Sequence, residues 1–398
     1  MKYSPKDEYH CDINEESVKS KFNKAREEFK LFSDSFRKKF DLSKPEKILD
    51  VYNHASKNGL FEFAASLREL VFGKDIHFYG VSYLWDDCVN TCEYCPGSIQ
   101  NRKSSGYKPR ELSIDEAIED INFVISDGHS HICLLTGEET KNHSAAFLAK
   151  YLQKVDELGL DEIILNIAPL DVKGFKILRD AVKHTSLQFR VFQETYNKET
   201  YASMHQRGPK RNFENRYYSQ SRALDAGFDN IGFGALFGLH RYPIEEIEGL
   251  QEHVRHIHEN HGVNPARVCL PSANFLPQYD VKIPFILEKG KYTNEHELIQ
   301  MGPYEYFDEL IYALAKLALP HINLVSSERD PPGMLNILDH YASCSVINVH
   351  PGVGDNTKHH KRVKEEGLHF EQANSFSREP KKTLENMRLR GFNPLLKR

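Results

Sequence analysis

Apolar residues along the chain follow two different rhythms, and the change falls near Gly73. Before it, ESVKSKFNKAREEFKLFSDSFRKKF places apolar residues three and four apart among charges, which predicts an amphipathic helix. PEKILDVYNHASKNGLFEFAASLRELVFG reads as two short helices, with Pro45 near the start of the first, where its missing N–H is tolerated. Residues 1–75 are therefore expected to form a helical extension. After Gly73 come short apolar, β-branched runs: IHFYGVSYL from Ile76, HICLLTG from His131, EIILNIA from Glu162 and FRVFQET from Phe189. NIGFGAL from Asn230, RVCLPSA from Arg267, INLVSS from Ile322 and VINVH from Val346 continue the series. Amphipathic stretches separate them, among them LSIDEAIEDINFVISDG, SAAFLAKYLQKVDELG and NEHELIQMGPYEYFDELIYALAKLAL, the last read as one long helix.

Buried-type strands alternating with helices predict a parallel sheet. Eight in sequence predict a closed (β/α)₈ TIM barrel over residues 76–354, with a doubly wound open sheet as the alternative. Residues 355–398, which contain the charged run KHHKRVKEEG, are expected to wrap the surface as coil with one or two helices.

With 40% apolar and 27% charged residues in 398, the chain can fill such a barrel. A net charge of −5 argues against a nucleic-acid partner. No apolar run approaches the ~18 residues of a membrane span. The polar N-terminus, MKYSPKDEYHCDINEES, lacks the apolar core of a signal peptide. A cytoplasmic location is expected, where the seven cysteines stay reduced and favour metal or redox roles over disulfides.

WDDCVNTCEYC sets Cys88, Cys92 and Cys95 at CxxxCxxC spacing directly after the first strand. In a (β/α)₈ barrel that loop faces the catalytic mouth. A [4Fe–4S] cluster normally takes four thiolates, so three leave one iron open to a small molecule. A zinc site and three unrelated core cysteines are the alternatives. Zinc sites usually pair two CxxC or CxxH halves, and no second half is evident. Cys133, Cys269 and Cys344 lie in or near apolar strands and read as small core residues, with Cys11 isolated near the N-terminus. His350, His359 and His360 read as exposed polar residues. Trp85 is expected to pack over the cysteine loop.

The cysteine motif, with the aromatic Tyr94 before its last cysteine, resembles the radical S-adenosylmethionine (SAM) superfamily. The resemblance implies a [4Fe–4S] cluster whose open iron binds SAM, a 5′-deoxyadenosyl radical and a small-molecule substrate. It also implies a reducing partner such as flavodoxin or ferredoxin. Further segments fall at strand ends around the same mouth. Gly137 and Glu138 in LLTGEET match the motif that holds SAM's amino group in the family; a turn with a helix-start acid is the plainer alternative. Asn166 in NIAPLD and Gln193 and Glu194 in VFQETY offer polar groups, the latter two to ribose hydroxyls, unless they are solvated loop residues. Gly232 and Gly234 in GFGALFG permit close approach of a flat adenine, or serve packing only. Tyr83, at the end of the first strand, is expected to reach substrate or SAM, or to be a half-buried strand aromatic.

Longer strings narrow the resemblance. NIAPLDVKGFKILRD, VFQETYNKETYASMHQRGPK and GFGALFGLHRYP are similar to the aromatic amino acid lyase branch of HydG, ThiH and NosL. That branch implies radical cleavage of a side-chain carbon–carbon bond. Three departures stand out. The C-terminal segment, LRGFNPLLKR, follows a last cysteine at Cys344, so no second cluster of the HydG kind is expected. The branch's Ser-Thr-Arg-Glu motif reads SSERD here. Ser327 takes the place of the carboxylate-binding arginine, and only a one-residue shift lets Arg329 serve. Pro-Arg-Leu-Arg-Pro is replaced by PSANFLP, without arginine. Lys210 and Arg216 are candidates to compensate. The leading expectation is a radical SAM lyase. A different substrate, a non-catalytic iron–sulfur scaffold and a structural zinc protein are the alternatives.

Overall fold

The runs after Gly73 form strands because their residues are buried on both faces, inward against one another and outward against helices. In the computed structural model, which describes residues 15–105, 108–139, 141–273, 282–293, 297–350, 352–357 and 378–397, they close into a ring. The barrel strands are β1 (Asp75–Trp85), β2 (His131–Thr136), β3 (Glu162–Asn166), β4 (Ser186–Arg190), β5 (Asn230–Gly234) and β6 (Arg267–Cys269). A small antiparallel hairpin, β7 (Lys291–Thr293) with β8 (Glu297–Gln300), stands apart. The ring continues with β9 (Leu324–Val325) and β10 (Cys344–Val346), and pairing of β10 with β1 closes eight parallel strands. The closed barrel is thus observed, and the open sheet is excluded.

Register fixes the interior. Cross-strand partners share a face, so Tyr79 and Val346, Cys133 and Ile164, Ile164 and Gln188, and Arg190 and Gly232 all point the same way. β1 shows the alternation well. Tyr79, Val81 and Tyr83 line the interior cavity, while Gly80 backs onto the helix Ile114–Ser126, where an added Cβ would meet Val124 at 2.0 Å.

The helical extension is α1 (Glu15–Phe36), α2 (Ile48–Lys57) and α3 (Leu60–Phe72). Val18, Phe22, Ala25, Phe29 and Phe32 form the buried stripe of α1, spaced as a helix face requires. The extension packs on the outer helix Pro303–Ala318. Arg68 of α3, fully buried, donates to the carbonyls of Gly73, Asp75 and Ala342 and so joins α3 to β1 and to the entry of β10.

Three expectations need correction. The long helix predicted from Asn294 begins only at Pro303; Glu297–Gln300 is strand β8 instead. Pro303 occupies the first turn, and the Glu305 carboxylate accepts the N–H groups of Gly290 and Gly302, both at 2.7 Å. The β4 strand also starts earlier than the run from Phe189 implied, at Ser186.

The third correction concerns the segment after Gly354, which does more than cover a surface. KHHKRVKEEG, with His359 and His360, lies outside the described residues, as does Cys11. The described part after it contributes a helix, Pro380–Leu389, and a ninth parallel strand, β11 (Asn393–Leu395). β11 pairs with Asp75, Ile76 and His77 of β1, on the edge below the point where β2 begins at Gly80. The Ser130 N–H then donates to the Leu396 carbonyl (3.1 Å). Arg378 is buried beside β10, donating to Glu328 (3.1 Å) and to the Val346 carbonyl (2.7 Å). Among the described residues, no helix is long and apolar enough to cross a membrane.

Removing one partner of a buried ion pair leaves the other uncompensated. Arg378→Ala is expected to lower stability by about 3 kcal/mol, read as a fall in the midpoint of chemical denaturation. Surface substitution of Lys381 serves as the unaffected control.

Candidate active site at the barrel mouth

The C-terminal strand ends surround a cavity of about 270 Å³. Cys88, Cys92 and Cys95 line it from the loop after β1. That loop is braced by its own backbone. The Cys95 N–H donates to the Cys92 carbonyl (3.2 Å) and the Ser98 N–H to the Cys95 carbonyl (3.1 Å). Buried Arg102 donates to the Cys88 carbonyl and, at 2.9 Å, to Asp87. Asn101 Nδ2 donates to the Cys95 carbonyl (2.8 Å). Across the mouth, the N–H groups of Thr91 and Glu93 donate to the carbonyls of Arg207 and Met204. Burial pushes all three thiols up, Cys95 to about 11 with Cys88 adding to the effect. They are therefore neutral until a metal displaces their protons.

Among the described residues, no three His, Cys, Asp or Glu side chains converge on a point that would hold one metal ion. A [4Fe–4S] cluster asks for something else, because each thiolate binds a different iron. Three soft thiol donors facing one cavity fit that demand.

Opposite the cysteines stands a buried charge quartet. Glu138 accepts from Arg216 Nη1 (2.7 Å) and Asn90 Nδ2 (2.9 Å). Glu194 accepts from Lys210 Nζ (2.6 Å), with Arg216 at 3.9 Å. Burial works to raise both carboxyls, but the two cations outweigh it and hold them below the ordinary value. Two acids and two bases cancel. Lys210 and Arg216 are thus committed to Glu194 and Glu138 and do not supply the missing substrate cations. Glu194 adopts a left-handed backbone (φ 72°), rare for a residue with a side chain. The Leu236 N–H, donating to its carbonyl at 2.7 Å, holds the turn.

The remaining predicted residues divide. Tyr83, Tyr94, Gly137, Asn166 and Arg329 line the cavity with the cysteines, Glu138 and Glu194. The Tyr94 hydroxyl lies 2.8 Å from His205 Nε2, and burial, with Lys210 nearby, pulls His205 down to about 2. His205 Nδ1–H donates to the Tyr201 carbonyl (2.8 Å), which leaves Nε2 to accept the phenol. Gln193 does not line the cavity. It points toward the Phe213 carbonyl, because the turn at Glu194 gives only one of the two neighbours access. Gly232 and Gly234 are spacers between strands: a Cβ on Gly234 would lie 2.4 Å from the Cys269 carbonyl oxygen, and one on Gly232 3.2 Å from Arg190. Gly137 makes room for the cysteine loop, since its Cβ would lie 2.0 Å from the Asp87 carbonyl oxygen. Trp85 turns away from the cysteines, stacks on His143 (4.5 Å) and donates to the Gly137 carbonyl (3.2 Å). Asn90 and Arg190 were not anticipated. Their only sequence signals are a polar residue inside the cysteine motif and an arginine inside an apolar strand run.

Residues 82–254 match the Radical SAM superfamily. This segment is a radical SAM domain. Its cofactors are a [4Fe–4S] cluster and SAM. The chain is 30% identical over 180 residues to 2-iminoacetate synthase of Escherichia coli (strain K12), covering 45% of this chain and 46% of that one. It is 26% identical over 296 residues to 2-iminoacetate synthase of Salmonella typhimurium, covering 72% and 68%. The fold resembles the crystal structure of HydG, a maturase of the [FeFe]-hydrogenase, with a TM-score of 0.73 at 22% identity over 96% of this chain and 80% of that one. These are the relatives toward which the long sequence strings pointed, and the radical SAM domain holds all three cysteines.

Glu246 pins the loop that follows Glu194, accepting from the Thr195 hydroxyl and, at 2.7 Å, from the Tyr196 N–H. Burial raises its carboxyl from 4.5 to about 7. A carboxyl raised on folding adds stability below its unfolded value and loses it as pH climbs to the folded value. Stability is expected to fall by about 3 kcal/mol between pH 4.5 and 7 from this group. Denaturation curves across that range should flatten by this amount in Glu246→Gln.

Proposed function

We infer that this radical SAM enzyme cleaves a carbon–carbon bond of an aromatic amino acid, with tyrosine the first candidate. The convergence of Cys88, Cys92, Cys95, Glu138 and Glu194 with Tyr83 and Arg329 on one cavity carries the reading. The similarity to two 2-iminoacetate synthases supports it. When bound, the cluster and SAM supply a 5′-deoxyadenosyl radical that accepts a hydrogen atom from the substrate.

The chain's own residues hold and orient. Cys88, Cys92 and Cys95 would each hold one iron. Glu138 offers a carboxylate to SAM's ammonium group, and Asn90 and Arg216 keep it turned inward. Glu194 and Asn166 face the ribose hydroxyls. Tyr94 braces the cysteine loop through His205. Tyr83 and Arg329 meet the substrate. Burial raises the Tyr83 phenol, against the pull of Arg329, so it stays protonated and can donate a hydrogen bond. Leu135, Phe192, Val325 and Val346 give the cavity an apolar wall that keeps water from a reactive intermediate. A reducing protein such as flavodoxin or ferredoxin would supply the electron.

A second reading keeps the radical and changes the substrate. It is favoured by the uncharged wall of Pro271, Ser272 and Ala273, where the branch carries arginine.

Anaerobic incubation of the reconstituted enzyme with SAM, dithionite and tyrosine is expected to yield 5′-deoxyadenosine together with p-cresol and dehydroglycine. If SAM is cleaved while neither tyrosine nor tryptophan is consumed, the lyase reading fails and the second reading stands. Iron and sulfide bound without any 5′-deoxyadenosine would mark a scaffold instead. Alanine at Cys88, Cys92 or Cys95 should abolish the iron–sulfur absorbance. Glu138→Gln should weaken SAM binding about 10- to 100-fold, the usual cost of a hydrogen bond to a charged group, as read by equilibrium dialysis.

A further inference from the structure

One charged group in the cavity stands within a barrel strand: Arg190, the last residue of β4. Its partner across the ladder is Gly232, where an added Cβ would lie 3.2 Å from Arg190 Cγ and crowd the aliphatic stem that carries the guanidinium. Arg190 is 4% exposed, and among the described residues its Nε and Nη1 have no hydrogen-bond partner. Nη2 lies 3.0 Å from Cys133 Sγ, and Cζ sits over the Tyr79 ring, 4.5 Å from its centre. Stacking of that kind occupies the face of the guanidinium and leaves donors at its edge.

Among the described residues, no acid forms an ion pair with this cation. Glu162, the carboxylate on the barrel floor, accepts from Arg267 and from Asn230 Nδ2. Tyr79, Cys133 and Cys269 are each raised by burial, Cys269 to about 11, and are neutral at physiological pH. Lys210, Arg216, Arg267 and Arg378 all have carboxylate partners. Among the described residues Arg190 lacks one, and it lines the same cavity as the three cysteines. A buried guanidinium without an anion is costly to fold. A site retains such a group where a ligand brings the counter-charge.

We propose that Arg190 binds a carboxylate of the substrate at the floor of the cavity, so that the substrate enters acid end first with its other end toward the cysteines. The inference rests on the reading of the cavity as an amino-acid site, and it moves the carboxylate anchor from the loop after β9, which bears Arg329, to β4. The loss of arginine at Ser327 and in PSANFLP then follows from relocation of the anchor.

The test uses the anaerobically reconstituted full chain with SAM and three probes: tyrosine, 3-(4-hydroxyphenyl)propionate and tyramine. Equilibrium dialysis should show the wild type binding the two carboxylates and discriminating against tyramine. Arg190→Gln should lose about 10- to 100-fold of the carboxylate affinity, the range for charge-assisted hydrogen bonds, and Arg329→Gln should lose less. Arg190→Lys should recover part of the loss. Without ligand, Arg190→Gln should melt at or above the wild-type temperature, because it removes an uncompensated buried charge; a purely structural arginine would melt lower. The proposal is overturned if tyramine binds as well as tyrosine, if the wild type binds neither carboxylate, if Arg190→Gln keeps full affinity, or if that variant melts lower. Binding that depends on Arg190 without tyrosine turnover would sink the lyase reading alone. Tyrosine turnover with an unchanged KM in Arg190→Gln would sink this proposal alone.

Discussion

Closure of the ring between β1 and β10 is the contact on which the site depends. His77, Phe78 and Tyr79 take Cys344, Ser345 and Val346 as ladder partners, and that pairing brings the loop after β1 against the end of β9. Without it, Arg329 and the three cysteines would sit on opposite edges of an open sheet. Because all eight strands run parallel, every C-terminal strand end opens on the same side. The site is therefore assembled from short loops whose only common property is position in the ring.

Four buried acids around the barrel mouth and floor are paired with bases: Glu162 with Arg267, Glu138 with Arg216, Glu194 with Lys210, Glu328 with Arg378. These pairs cost desolvation and return it through short, well-aligned hydrogen bonds. They give the mouth a fixed electrostatic pattern before any ligand arrives. Arg190 lines the same cavity and, among the described residues, has no such carboxylate partner.

The sequence was most informative where a single physical rhythm dominates. The apolar runs became strands, the three- and four-residue steps became helices, and CxxxCxxC landed at the mouth because it follows a buried strand. It was least informative where an outcome depends on one backbone angle or one distant neighbour. Gln193 and Glu194 are equally polar, and only the left-handed turn at Glu194 decides which faces the cavity. Trp85 turned away because the ladder between β1 and β2 shifts register between Tyr83 and Trp85. Gly232 and Gly234 looked like ligand contacts, but they answer to Arg190 and Cys269 on adjacent strands. NEHELIQMGPYEYF carries helical spacing throughout, and the Gly302–Pro303 step with Glu305 reset where the helix begins. Arg190 could be seen as an arginine in an apolar strand, but its lack of a partner is a property of the folded interior alone.

The ninth strand has a consequence for how the chain reaches this state. Asn393 Nδ2 donates to Asp75 at 2.7 Å across a sequence separation of 318 residues, so the lower edge of β1 stays open until a very distant segment arrives. Contacts of that span form slowly, because a long loop must close before they return anything. A nascent chain that has already built its helical extension and first strands therefore carries an unpaired strand edge, Asp75 to His77, for most of its synthesis. Such an edge is where strands from other chains add, and the period before β11 docks is the interval in which this protein depends most on dilution or on chaperones.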